Sequence, residues 1–161
     1  CSTPAAPGNL SQYYKHVADF CHKLPENLSM EEGAAVQPLA IAIHKFSQLP
    51  LKITYLYIIS DVVQSRLDIA KQLAADYTLL IKKEYSDEEV VEKIRAALGG
   101  RPRITIDACA FPSAQRVSML VTKKGGTILI VGVGDTTVEV PLSGAVLREI
   151  DVKGSNRILN T

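Results

Sequence analysis

From residue 53 onward the sequence alternates short apolar stretches of β-type residues with longer stretches of helical apolar period, and this alternation narrows the fold more than any other feature. Ile53–Ser60 (ITYLYIIS) is β-branched, aromatic and almost wholly apolar, as suits a strand buried on both faces of a parallel sheet. Asp61–Ala75 places apolar residues at 62, 63, 67, 69, 70, 73 and 74, a helical period. Tyr77–Ile81 is a short strand. Ser86-Asp-Glu-Glu89 has the spacing of a capping box, in which the serine hydroxyl and the glutamate three residues on satisfy each other's backbone N–H groups. The helix that it opens runs to Leu98 and stops at Gly99-Gly100. Ile104–Ala108 is a strand. Pro112–Val121 is a helix with proline in its first turn. Gly125-Gly126 turns the chain into a strand over Thr127–Val131, which ends in Gly132-Val133-Gly134. Val138–Pro141 and Ile150–Gly154 are expected strands flanking a short helix near 143–148. Strands alternating with helices across short connections predict a doubly wound α/β fold with a parallel sheet.

The upstream third reads differently. Residues 1–10 are loop. Gln12–Lys23 alternates aromatic and polar residues, predicting two short strands that end at Leu24-Pro25. Ser29-Met-Glu-Glu32 is another capping-box spacing, predicting a helix over about 30–46 with Pro38 inside it, where the ring removes a hydrogen bond and kinks the axis. A chain of 161 residues is long enough for one domain or one and a fraction. Its 18 basic and 17 acidic residues leave a net charge of +1, which favours neither nucleic acid nor an anionic membrane as partner. The apolar run Ala34–Ile43 is too short to span a bilayer. Cys1, Cys21 and Cys109 are widely spaced and form no CxxC pair, so neither a zinc ribbon nor a disulfide framework is indicated, and a reduced, cytoplasmic location is expected. The chain starts at Cys1 with no signal-peptide pattern, which reads as a fragment.

Asp61 is the first residue whose position suggests chemistry. It closes an apolar strand of an expected parallel sheet, where such folds bind ligands. There a carboxylate can accept the ribose hydroxyls of a dinucleotide and repel a 2′-phosphate; equally, it can cap the following helix. Arg66 can lie over an adenine ring or be an ordinary surface charge. The expected upstream partner of Asp61 is missing: no G-x-G-x-x-G occurs in the chain, and Gly132-x-Gly134 opens no suitable helix. His16, His22 and His44 lack metal-ligand spacing, so no metal set is read from them. Glu31/Glu32 and Asp87/Glu88/Glu89 fall in helix first turns, where negative charge complements the dipole, and are read as caps rather than acid–base pairs. Cys109, at the end of a buried strand, is read as an inert small hydrophobe.

Six collinear stretches together resemble the sorbitol (polyol) dehydrogenases of the zinc-dependent medium-chain alcohol dehydrogenase family. They are GNLSQYYKHVADFCHKLP (8–25), MEEGAAVQPLAIAIH (30–44), SDVVQSRLDIAKQLAAD (60–76), IDAC (106–109), KKGGTILIVGVG (123–134) and VPLSGAVLREIDVKGSNRILNT (140–161). The resemblance implies oxidation of a polyol to a ketose with NAD and a catalytic zinc. It implies a GroES-like catalytic domain, of which 1–45 would be the C-terminal remnant and crossover helix, and a truncated Rossmann-type coenzyme domain over 46–161. Asp61 then resembles the ribose-binding acid and Arg66 the adenine-side arginine. Val131, Gly132, Val133 and Gly134 resemble the strand end beside the nicotinamide, and Arg157 the polar group near the substrate.

Three departures limit this expectation. The family's zinc ligands would lie upstream of Cys1. A strand-plus-helix unit of about 30 residues, carrying the glycine-rich phosphate loop, is replaced by the seven residues Phe46–Lys52. Gln37 stands where the family has an acid near zinc, and Ile158 where it has an aromatic residue. The expected fold is therefore an incomplete Rossmann-like sheet. In the order 3-2-1-4-5-6 the missing strand is the central one, so its neighbours must either close up or keep exposed edges in a marginally stable protein. NAD binding is in doubt, and the chain alone is expected to be inactive. The alternatives are a non-catalytic fragment pairing with a full-length subunit or with itself through the region of Val138–Gly154, or a gene product with no function.

Overall fold

A computed structural model of the chain describes residues 12–49 and 56–155. They fall into two compact units, Cys1–Leu39 and Ala40–Thr161. In the first, Gln12–Lys23 forms no strand; a 3-10 turn at Ala18–Phe20 interrupts otherwise extended chain. The alternating pattern there found no second edge to pair with among the described residues, and an isolated hairpin is marginal in water. Helix α1, Met30–Ser47, begins where the capping box placed it. The Ser29 amide donates to Glu32 Oε2 at 2.8 Å, and the Glu32 amide donates to Ser29 Oγ at 3.1 Å. Pro38 lies inside this helix.

The second unit alternates strand and helix: β1 Ile58–Asp61, α2 Gln64–Leu73, β2 Tyr77–Leu80, α3 Asp87–Leu98, β3 Ile104–Asp107, α4 Pro112–Val121, β4 Thr127–Ile130, α5 Leu142–Val146 and β5 Asp151–Gly154. The expected strand residues 53–55 lie outside the described residues. The reasons for the boundaries are local. Ser86 and Glu89 make the reciprocal capping box, at 2.8 and 3.2 Å, and Gly99 closes α3 in the left-handed conformation at φ 69°. Pro112 starts α4. Val138–Pro141, expected as a strand, is irregular. Val140 instead packs into the core beside Met119, Ile128 and Ala145, and Pro141 has no N–H to donate to a ladder. An apolar alternation fits a buried irregular segment as well as a strand.

Every strand pairing is parallel, but the sheet comes in two pieces. β1 pairs with β2, and β3-β4-β5 form a separate sheet. These pairings follow the doubly wound order 3-2-1-4-5-6 with no central strand among the described residues. Among the described residues, β1 and β3 have not closed up on each other. What joins the two pieces is helix packing. Val90, Val91 and Ile94 of α3 and Val121 of α4 form one buried cluster, against which Ile58 and Leu79 of the first sheet, Ile81 just past β2, and Val117 and Leu120 of α4 pack. A second cluster sets Met119 of α4, Ile128 of β4 and Ala145 of α5 together with Ile130, Val140 and Ile150. Ile128 and Leu129 are fully buried, each contributing about 1.5–3 kcal/mol.

The hydrogen-bond register settles which edges stay open. Tyr77 N–H donates to Tyr57 C=O, and Ile81 N–H to Asp61 C=O, so the odd-numbered residues of β1 bond to β2. Ile58 and Ser60 aim their backbone groups the other way. By the same alternation, Thr127 N–H to Arg103 C=O and Val131 N–H to Asp107 C=O leave Ile104 and Ile106 aimed away from β4.

Candidate functional site

Strand ends carry the site residues. Asp61 is the last residue of β1. Its Oδ1 accepts the Val63 N–H at 2.8 Å, a short side-chain-to-backbone turn. The N-cap of α2 is Val63, with no side-chain cap, so the capping alternative for Asp61 does not hold. Oδ2 stands 3.5 Å from Arg66 Nη1; the Asp61 side chain is 27% exposed and that of Arg66 68%. The structure thus brings these two predicted residues together. An acid held by one oxygen, with the other toward an exposed guanidinium, can accept vicinal hydroxyls beside a cationic plane.

The ends of β3 and β4 make a second, tighter group. Asp107, the last residue of β3, is 3% exposed. Its Oδ1 accepts the N–H groups of Cys109 and Ala110, each at 3.0 Å, and lies 3.4 Å from Cys109 Sγ. Its Oδ2 is buried with no partner among the described residues. Its carbonyl accepts from Val131 N–H at 2.8 Å and Gly132 N–H at 3.1 Å. Ala110 is held at φ 58°, a conformation costing a non-glycine residue about 1 kcal/mol. Gly132 and Gly134 then lie so close to it that added Cβ atoms would sit 2.5 Å from Ala110 N and 2.7 Å from Ala110 O. Val133, between them, is 88% exposed. The result is a closely packed backbone junction with the exposed Val133 side chain beside it. Among the described residues, no hydrogen bond or ion pair joins this group to Asp61 and Arg66.

Cys109 is exposed, not buried as its strand-end position suggested: it lies beyond the end of β3 at Asp107. Partial burial of its sulfur, with the hydrogen bond and negative charge of Asp107, pushes the thiol above its ordinary value, against a smaller lowering by the Phe111 backbone. Gln37 is an exposed residue in α1. Arg157 and Ile158 lie outside the described residues. Two residues escaped the sequence reading. Asp107 carries the same signal as Asp61, an acid closing an apolar strand, and was legible in principle. Lys45, buried near the end of α1 with Nζ 2.6 Å from Ser155 Oγ, stands in an unremarkable helical stretch that gave no signal. Among the described residues, no group of three His, Cys, Asp or Glu side chains could hold a metal ion. No helix of the described residues is long and apolar enough to cross a membrane.

Residues 56–160 match the family described as zinc-binding dehydrogenase. The sorbitol dehydrogenase of Bombyx mori is 56% identical over 185 aligned positions that cover 100% of this chain and 53% of that protein. The chain thus spans about half the length of the curated relatives it matches. The alignment of 185 positions against a chain of 161 residues also leaves at least 24 positions of that relative without a counterpart here. Among solved structures, an Escherichia coli oxidoreductase/dehydrogenase of unknown specificity superposes with a TM-score of 0.83 at 22% identity, covering 99% of this chain and 52% of that one. An Escherichia coli alcohol dehydrogenase complexed with NADH gives 0.73 at 18% identity, covering 86% and 47%.

Proposed function

The chain belongs to the zinc-binding dehydrogenase family, and from that premise we propose that it is the coenzyme-domain part of an NAD-dependent polyol dehydrogenase of the sorbitol type. Residues 1–45 are read as the remnant of the catalytic domain and the crossover helix, and 46–161 as the coenzyme domain. The observation that carries the reading is Asp61, a carboxylate at the carboxyl end of a parallel strand, paired with an exposed arginine. Asp61 accepts the adenosine ribose hydroxyls and repels a 2′-phosphate, favouring NAD over NADP. Arg66 covers the adenine and Val131–Gly134 underlie the nicotinamide, while Arg157, outside the described residues, is the candidate polar group near the substrate by its resemblance to the family.

The residues fit only part of the coenzyme. The adenosine end has its acid and its cation. The pyrophosphate has no cradle, because the sequence contains no glycine-rich loop of backbone N–H groups ahead of a helix. Zinc does not fit the described residues, which bring no three His, Cys, Asp or Glu side chains together. Bound NAD would supply hydride-accepting capacity; this chain alone positions only its adenosine end, so it does not turn over polyol by itself. The cytoplasm is the proposed location, from the cysteine usage.

Titration with NAD and NADP, followed by amide chemical shifts, tests this. Expected are shifts at Asp61–Arg66 with a Kd on the order of millimolar, NADP binding more weakly, and no oxidation of sorbitol. Equal binding of NADP, or no shift at 10 mM NAD, overturns the cofactor reading; micromolar NAD binding with turnover overturns the inactivity. A second reading, pairing with a full-length subunit, draws on the exposed Leu142, Val146 and Leu147 of the α5 region and Val152 of β5. Failure to co-sediment with a full-length relative removes it.

A further inference from the structure

The two open strand edges define a place for a strand that is not found among the described residues. β1 and β3 each end a parallel sheet, and against the doubly wound order 3-2-1-4-5-6 the position between them is the one that no described strand takes. The superposition over 99% of the chain on a whole dehydrogenase shows the same overall arrangement of elements. α3 packs on the first sheet and on α4, and so holds the two pieces without filling that vacancy. The edges themselves are built for pairing. Ile58 and Ser60 on one side, and Ile104 and Ile106 on the other, direct backbone N–H and C=O groups away from their existing partners. Ile59 and Ile106 are exposed large apolar side chains in these two edge strands. Strands of a parallel sheet are normally covered on both faces, so this exposure marks missing contacts.

We infer that the vacancy between β1 and β3 binds one extended, apolar strand from another polypeptide, parallel to both, as a βα unit supplied in trans. The size of the occupant is given by the deficit against the Bombyx mori relative, at least 24 positions. A strand of four or five residues, its turn, and the helix that a parallel connection needs come to about two dozen residues. Such a strand pairs on both sides at once, so affinity comes from the main chain, and apolar residues on both its faces give selectivity. The inference rests on the sheet pairing and not on coenzyme binding, and it can hold or fail without NAD.

The probe is a synthetic peptide copying the longest stretch of the Bombyx mori sorbitol dehydrogenase that finds no counterpart in this chain, with a scrambled peptide of the same composition as control. Expected are saturable one-to-one binding by the full chain without NAD and slowed hydrogen exchange at the amides of Ile58, Ser60, Ile104 and Ile106. At a hundredfold excess over Kd the melting temperature rises by about 8 °C. Ile106→Pro and Ser60→Pro each remove one outward-facing donor without touching an existing ladder bond, and each weakens binding about tenfold or more. The exchange measurement on the unaltered chain decides the matter if a proline variant fails to fold. Equal binding of the scrambled peptide, unchanged exchange at those four amides, or no binding at 1 mM overturns the inference. So does a chain dimer, seen by sedimentation, that protects the same amides and is not displaced by the peptide, because the occupant is then a second copy.

Discussion

Arg148 offers the sharpest test of how the second unit holds together. Its guanidinium closes the C-terminal end of α4. Nη1 donates to the carbonyls of Leu120, at 3.1 Å, and Thr122, at 2.7 Å; Nη2 donates to Met119, and Nε to Gly144 at 2.8 Å. The last carbonyls of a helix have no intrahelical partner, and a cation there also complements the dipole. Burial, and then the charge of Arg101, push the Arg148 pKa down, so the side chain carries some desolvation cost in this position. Arg148→Met removes all four bonds. Leu120 keeps a donor in Arg101, leaving Met119, Thr122 and Gly144 as the carbonyls that lose theirs. At about 1.5 kcal/mol for each bond to a charged donor, less the relief of desolvation, the net loss is about 2–3 kcal/mol. That lowers the melting temperature by roughly 5–10 °C. Arg148→Lys offers a point charge in place of the fork and recovers less than half. Urea unfolding followed by circular dichroism measures both. A loss below about 0.5 kcal/mol for the methionine variant would refute the argument, since it would mean that water serves these carbonyls as well as the guanidinium does.

Gly132→Ala drives a Cβ into the backbone of Ala110 and costs about 1–3 kcal/mol by overpacking, read as a lower urea midpoint; an unchanged midpoint would mean that the strand end yields freely. Asp61→Ser removes the charge that repels a 2′-phosphate, and the ratio of NAD to NADP affinity falls about tenfold by titration. Glu32 is held below its usual value of 4.5 by hydrogen bonds, first from the Ser29 amide and then from its hydroxyl. A depressed folded-state pKa stabilises the start of α1 above the unfolded value, and the contribution disappears as pH falls through the folded one. The Ser29 amide resonance, followed from pH 6 to pH 2, should titrate below pH 4.5.

Most of the fold was written in local signals. Ser86 and Glu89 fix one end of α3 and Gly99 the other, and Pro112 opens α4, because capping and backbone conformation are decided within a few residues. Less local properties were hidden. Val138–Pro141 alternates like a strand, yet no ladder accepts it among the described residues, and the partial burial of Val140 comes largely from Met119 and Ile128, which are distant in sequence. The absence of a central strand could be read from the missing glycine-rich turn. Whether its neighbours would close up depended on α3 and α4 keeping them where they are. In the site, the placement of Asp61 at a strand end followed from periodicity, but its turn onto Val63 and its pairing with Arg66 did not. The hold of Asp107 on Ala110 depends on a positive φ at a residue whose identity gives no warning of one.

The division of the sheet leaves the second unit with a seam. On one side lies the consecutive segment 58–80, on the other 104–154, and α3 is the crossbeam between them. In a continuous sheet, ladder hydrogen bonds would stitch the two sides together. Here, among the described strands, no ladder crosses, and cohesion falls to side-chain contacts centred on Val90, Val91 and Ile94, with the Arg116–Asp87 ion pair at the margin. Side-chain contacts of this kind slide and separate more gradually than a ladder does. The segment 58–80, with its helix folded back between neighbouring strands, therefore forms a cooperative block of its own, able to open while 104–154 stays closed.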